Sequence, residues 1–261
     1  MQVQQLGRVI VKGTQFLSPG EVQVDADGIR HDRAFALVES DDCFVGAPEK
    51  GRFMPLRFSY DESAEQLQLT MPDGKQIEGP AAADGRAFAV DHFGLRDIDV
   101  AEVGGPWEQT LSDFAGRSIR LVKCLSSGRA IDVFAVTFTT TGSLRKLAEQ
   151  VGKEVDPLRF RAGFVLENDT PYEEDDWDGR ELTVGGAKFH VRTAVPRCQV
   201  TGYHPTSGES DAAVMQTLIK HRDKVHLPDG MMPDYATPGF ATYAEVVEPG
   251  SIKVGDTATL S

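Results

Sequence analysis

The feature that most constrains this chain is the recurrence of short stretches with an apolar–polar period of two. Gln66-Leu67-Gln68-Leu69-Thr70-Met71 alternates cleanly and runs into Pro72-Asp73-Gly74-Lys75, a tight-turn signal, before a returning Gln76-Ile77-Glu78. Similar strand signals fall on residues 9–11, 21–24, 34–38, 86–90, 97–103 and 118–123. In the second half they fall on 163–167, 181–184, 187–192, 242–247 and 251–260. Helical spacing is rarer. It fits residues 106–114, with Trp107, Leu111 and Phe114 on one face, and 141–151, with Leu144, Leu147, Ala148 and Val151 on one face. Residues 211–225 make a third candidate. Many short strands with scattered helices predict a mainly β, α+β chain of β-barrel architecture, not a doubly wound sheet. No G-x-G-x-x-G follows a strand and no G-x-x-x-x-G-K-[ST] occurs, so no nucleotide fingerprint is present. Two parts are expected, 1–125 and 126–261, with Ser126-Ser127-Gly128 as the linker candidate.

Charge narrows the partners. Asp and Glu number 40 against 27 Lys and Arg, a formal net charge of −13. Such a surface repels phosphate backbones and anionic lipid, so neither nucleic acid nor a membrane surface is an expected partner. An anionic ligand requires a local cluster of Arg and Lys gathered against that field. The first eleven residues alternate as a strand does, without a basic stretch followed by an apolar one, and no apolar run approaches the roughly 18–20 residues of a membrane span. Three widely spaced cysteines imply no disulfide framework. The expected compartment is a reducing cytoplasm.

Chemistry concentrates in the second half. Cys198 directly follows Arg197, with His190 and Arg192 nearby. A cationic neighbour stabilises a thiolate, which suits a nucleophile or a soft-metal ligand; the other reading is a buried, inert thiol. Cys124 ends an apolar strand and reads as core. Cys43 has acidic neighbours that disfavour its thiolate. Arg159 and Arg161 read as alternating on a strand entry, on one side. They suit a phosphate or carboxylate, or they pair with Glu173, Glu174, Asp175 or Asp176 downstream. The acidic run itself, residues 172–178, reads as a solvated loop. In the first half, Asp32 either orients Arg33 or forms a surface bridge with it, and Lys12-Gly13 is equally ambiguous. No Ser-His-Asp set and no H-x-x-x-H spacing is legible, and His204 and His221 read as surface residues.

Taken in order, Arg159-Phe160-Arg161, Pro171-Tyr172-Glu173-Glu174-Asp175-Asp176-Trp177, Val184-Gly185-Gly186, Arg197-Cys198, Thr201 and Pro205-Thr206-Ser207-Gly208 resemble the MOSC domain, the molybdenum cofactor sulfurase C-terminal domain. Lys12-Gly13 and Gly28-Ile29-Arg30-His31-Asp32-Arg33 resemble its N-terminal β-barrel partner domain. Ala162-Gly163 stand where the family commonly has Pro-Asn, and no C-x₄-C-x₂-C iron–sulfur pattern occurs.

The resemblance implies a MOSC barrel of the pyruvate-kinase-barrel-like type behind a smaller N-terminal β-barrel. It implies a molybdenum cofactor (molybdopterin) with Cys198 as catalytic residue and metal ligand. Lys12, Arg33, Arg159, Arg161, Arg197 and Thr201 would bind the cofactor. The implied activity is that of an oxidoreductase reducing N-hydroxylated or N-oxygenated small molecules. Electrons would come from an external electron-transfer protein, a ferredoxin or a cytochrome b5-like protein with its reductase. The alternative is a non-redox sulfur carrier or cofactor-handling protein with a persulfide on Cys198.

Overall fold

The computed structural model of the chain describes residues 1–46, 49–92, 94, 96–125, 129–225, 227 and 237–261. The elements of the first half are β1 (Val3–Leu6), β2 (Glu21–Asp25), β3 (Gly28–Ile29), β4 (Phe35–Val38), α1 (Lys50–Phe53), β5 (Arg57–Asp61), β6 (Gln66–Thr70), β7 (Gln76–Pro80), β8 (Ala87–His92), β9 (Arg96–Glu102), α2 (Trp107–Ala115) and β10 (Arg120–Cys124). The second half adds β11 (Val136–Thr140), α3 (Thr141–Val151), β12 (Phe164–Leu166), β13 (Glu181–Val184), β14 (Ala187–Pro196), α4 (Val214–His221), β15 (Lys224–Val225), β16 (Thr237–Glu248), β17 (Gly250–Lys253) and β18 (Ala258–Leu260). The chain is mostly strand, as its periodicity requires.

One sheet is a nearly closed barrel in the order β1-β12-β11-β16-β14-β13-β18, with β15 paired to β16. Its open edges meet: Gln2 bridges Thr257, and the Ala258 amide donates to the Met1 carbonyl at 2.9 Å. The interior is aromatic. Phe138 stacks on Phe164 at 4.7 Å and meets Phe189 edge-on at 5.1 Å, all three fully buried. The pair β11–β12 is parallel and is crossed over by α3, which also packs against α4 beside the barrel. Thr140 caps α3 by accepting the Ser143 amide, and Gly152 ends it in the left-handed region at φ 80°.

The expected division at 125/126 does not follow the core. Val3, Leu6, Val22, Val24 and Ile29 are buried together with Phe138, Phe164 and Phe189, and β2 pairs with β17 near the C-terminus. β1 is therefore a strand of the barrel, and β2 and β3, in a small sheet with β17, cover its core. The separate N-terminal body consists of two sheets, β4-β10-β9-β8 and β5-β6-β7. These close over Phe35, Leu37, Phe53, Phe58, Leu67, Leu69 and Trp107. The linker candidate Ser126-Ser127-Gly128 lies outside the described residues.

Other expectations shift locally. Of residues 9–11 only Val11 is bridged, to Phe35, and no strand forms, because the Val9 amide is taken by the Asp32 carboxylate. The segment 251–260 breaks between β17 and β18, where Gly255 sits at φ 92°. The third helix shortens to α4.

The acidic run is no solvated loop. Residues Glu173–Trp177 form a 3-10 turn that buries Glu174 against the start of α3. Its carboxylate accepts from Thr139, Thr140 and Ser143 hydroxyls at 3.3, 2.9 and 2.7 Å and from the Thr140 amide at 3.3 Å. Burial pushes the Glu174 pKa up, and the Ser143 and Thr140 hydrogen bonds offset only part of that. A carboxyl raised on folding lends stability below the ordinary carboxylate range, and that stability is lost as pH rises through its folded pKa. Glu174→Gln should therefore match the wild type near about pH 4. Above neutrality it should exceed the wild type by on the order of 1 kcal/mol. Urea unfolding at stepped pH checks this, and a variant weaker than wild type at high pH contradicts it.

Candidate functional site

Arg159 and Arg161 do not alternate on a strand. Asp156 accepts the Leu158 amide at 2.9 Å, Pro157 follows, and Pro157–Phe160 winds as a 3-10 turn. Arg161 leaves it left-handed at φ 50°. Proline at the first turn position overrides the strand reading. Neither arginine pairs with the acidic run, whose Asp175 instead accepts from Arg222 at 2.6 Å. Arg159 is buried and donates from Nη2 to the Asp211 carboxylate at 2.7 Å, while its Nε and Nη1 are buried with no partner. Arg161 donates to the Thr14 carbonyl at 3.1 Å and lies 5.1 Å from the centre of the Phe16 ring. Burial, then the neighbouring Arg33, bring its pKa down to about 10.

Arg33 is left-handed at φ 53° and is ion-paired with Asp32, which the Val9 amide holds at 2.8 Å. Burial alone would lower its pKa, but Asp32 and Asp132 outweigh that and the net shift is upward. Arg33 shares the Phe16 ring with Arg161, 5.9 Å from its centre. Arg197 follows β14. Its Nε donates to the Phe240 carbonyl at 2.7 Å and its Nη1 to the Phe160 carbonyl at 3.0 Å, and its Nη2 is buried without a partner. Burial lowers its pKa to about 10. The Lys12 ammonium donates to the Ala130 carbonyl at 2.6 Å and to Asp132, and lies 3.3 Å from His92 Nε2. It thereby braces the segment that carries Asp132.

Cys198 stands between β14 and the 3-10 turn Gln199–Gly202. Its side chain is exposed. Its carbonyl accepts from the Thr201 amide at 3.3 Å and the Thr201 hydroxyl at 3.0 Å, so Thr201 fixes the turn that presents the thiol. By contrast, burial drives the Cys124 thiol up to about 11, and Cys43 is also raised, by desolvation first and then by Asp41.

These residues, drawn from positions 12 to 201, line one cavity of about 130 Å³. Lys12, Arg33, Arg159, Arg161, Arg197, Thr201 and Cys198 all contribute to its wall. Tyr243, buried beside them, has its pKa raised by burial and then by Asp132, so its phenol stays protonated. Asp132, Tyr243 and Asp211 were not singled out from the sequence. Asp132 and Tyr243 sit in apolar stretches without a polar pattern, and Asp211 reads as one more surface acid. Gly163 also lines the wall, and a side chain there would meet Ile29 Cδ1 at 2.8 Å, so Ile29 fills the space an amide side chain would enter.

The arrangement supplies an accessible thiol and buried guanidinium N–H groups without acceptors. Buried donors of that kind call for an oxyanion.

Comparison with known proteins identifies the family. The family model described as MOSC domain matches residues 128–259, just over half of the chain. Mitochondrial amidoxime reducing component 2 of Bos taurus is 24% identical, over 98% of this chain and 83% of that protein. Molybdenum cofactor sulfurase of Oryza sativa subsp. japonica is 24% identical over 82% of this chain but 30% of its own length. The chain thus spans about a third of the cofactor sulfurase. Mitochondrial amidoxime-reducing component 1 of Homo sapiens is 32% identical over 44% of this chain and 33% of that protein. Among solved structures, the YuaD protein of Bacillus subtilis aligns over 99% of this chain and 94% of that chain, at 9% identity and a TM-score of 0.46. No helix among the described residues is long and apolar enough to cross a membrane.

Proposed function

The chain belongs to the MOSC domain family, and on that premise we propose that its cavity binds the molybdenum cofactor, with Cys198 as protein ligand to the metal, and that the protein is an oxidoreductase acting on N-hydroxylated or N-oxygenated small molecules. The observation that carries the reading is the meeting, on one cavity, of an exposed thiol with buried guanidinium N–H groups that lack acceptors. A thiolate is the soft donor a molybdenum dithiolene centre accepts. Guanidiniums suit its phosphate. The residues therefore fit the group. Arg159, Arg161 and Arg197 would hold the anionic end, with Arg33 beside them and Lys12 bracing the Asp132 segment. The enclosed volume of about 130 Å³ is below the roughly 300–1,000 Å³ usual for organic ligands, so the cavity encloses one end of such a group.

When bound, the cofactor supplies two-electron redox chemistry. Conversion of an N–OH to an N–H takes up two electrons and two protons and releases water. The protein's own residues address the protons. Asp132 lines the cavity and would be the group to hold a proton there, with His92 Nε2 3.6 Å behind it and outside the lining residues. Tyr243, its phenol held protonated, can donate a hydrogen bond into the cavity but gives up its proton reluctantly. The electrons require a separate carrier, a ferredoxin or a cytochrome b5-like protein with its reductase.

A second reading, a sulfur carrier with a Cys198 persulfide, draws on the likeness to a cofactor sulfurase and on the accessible thiol. Coverage favours the reductase, since the chain matches 83% of an amidoxime reducing component and 30% of a sulfurase. Protein made in a cofactor-competent host should carry about one molybdenum per chain and reduce benzamidoxime with an artificial reductant. Absent molybdenum, together with a reductant-labile sulfur on Cys198 by intact mass, would establish the carrier instead.

A further inference from the structure

The geometry points to Asp211 as the positioning residue that aims Arg159 at the anion in the cavity. The role rests on the anion-binding reading above and belongs to a residue outside the cavity wall. Arg197 is anchored by two backbone carbonyls and Arg33 by Asp32. Arg159 is different. Among the described residues its guanidinium finds one acceptor, the Asp211 carboxylate at 2.7 Å, and its other two nitrogens stay buried and unpaired. A long, buried side chain with a single anchor takes its rotamer from that anchor.

Asp211 is itself held. Its amide donates to the Gly202 carbonyl at 3.3 Å. Lys153 donates to its carbonyl at 2.9 Å and its carboxylate at 3.2 Å. Gly202 closes the turn that begins after Cys198. The carboxylate therefore ties the Arg159 turn to the turn behind the thiol, and keeps the anion-holding and thiol-bearing arms in register. It does so from outside the residues that line the cavity.

The sign of one substitution separates this role from simple charge. A carboxylate near an anion site repels the anion, so by charge alone Asp211→Asn would tighten binding. Positioning demands the opposite. The full chain, prepared without cofactor, is titrated with inorganic phosphate by calorimetry and by the rise in Tm. Wild type should bind. Asp211→Asn should bind on the order of tenfold or more weakly. Asp211→Glu, which keeps the charged acceptor where Asn offers only a neutral one, and Lys153→Ala, which removes only the exposed neighbour, should stay within about threefold of wild type.

A second readout does not depend on the variant folding: the Arg159 Nε–H resonance of the wild type should move on adding phosphate. Tight or tighter binding by a folded Asp211→Asn overturns the role of Asp211 while leaving the anion site intact. An unmoved Arg159 resonance in phosphate-saturated wild type also overturns it. Failure of the wild type to bind phosphate overturns the anion reading itself, and this role with it.

Discussion

Cys198→Ser should strip molybdenum from the protein while leaving its fold and its phosphate affinity in place. The thiol is exposed, and the turn beneath it is held through the Cys198 carbonyl and Thr201, neither of which the substitution touches. Stability should therefore stay within about 0.5 kcal/mol of wild type, as for other exposed changes. The metal bond is a different matter. A serine hydroxyl is a harder and far less acidic donor than a thiol, so the one protein bond proposed for the metal disappears. Loss of a mere outer-shell partner can reduce metal affinity or activity by roughly 100-fold, and loss of the ligand itself should exceed that. Elemental analysis and benzamidoxime turnover, set beside phosphate titration, provide the check. A serine variant with full molybdenum and full activity would exclude Cys198 as the ligand.

Phe138→Ala carries the largest expected effect on stability. The side chain is fully buried, stacked on Phe164 and edge-on to Phe189, on the strand between β12 and β16. Truncating a core phenylalanine costs about 3–5 kcal/mol through lost transfer energy and the cavity left behind. Its neighbours are rings held by strands on both sides, which collapse poorly, so the upper part of that range is expected. Thr137 and Val136, adjacent on the same strand, line the functional cavity. Phe138 itself is not among the residues lining the cavity, so the folded fraction should keep its phosphate affinity. Denaturant unfolding measures the first outcome, and a loss under about 1 kcal/mol would mean that the aromatic cluster is not the barrel's core.

What the sequence made legible follows from how far each signal reaches. Period two marked β6 and β7 and their turn because the side chains of neighbouring strands share one buried face. The leucine spacing marked α3 over its observed span, although its cap is Thr140, one residue before the expected start. β11 escaped notice because Thr137, Thr139 and Thr140 read as polar. Thr139 and Thr140 are nonetheless fully buried, their hydroxyls satisfied by Glu174 from a distant segment. The 3-10 turn before Arg161 was hidden by the attraction of a strand reading, although Asp156-Pro157 is a turn-starting pair. The candidate site residues were visible singly, as basic side chains and a thiol beside turns. Their convergence was not visible, because it is set by sheet order and no local pattern encodes sheet order. Asp211 lacked any signal, since its role exists only once Arg159 is folded beside it.

The seam that closes the barrel also sets a timetable. β1 finds its partner β12 some 160 residues later, and its outer edge meets residues 256–258. The cavity needs Lys12 and Arg33 from the start of the chain and Tyr243 from near its end. During synthesis, which proceeds from the N-terminus, one edge of the first strand therefore waits for β12 and the other for residues 256–258. Such dependence on distant pairings slows folding and exposes apolar strands in the interval. It also means that a growing chain has no pocket to offer. Whatever ligand the cavity takes, it takes after Tyr243 and residues 256–258 have emerged and the seam has shut.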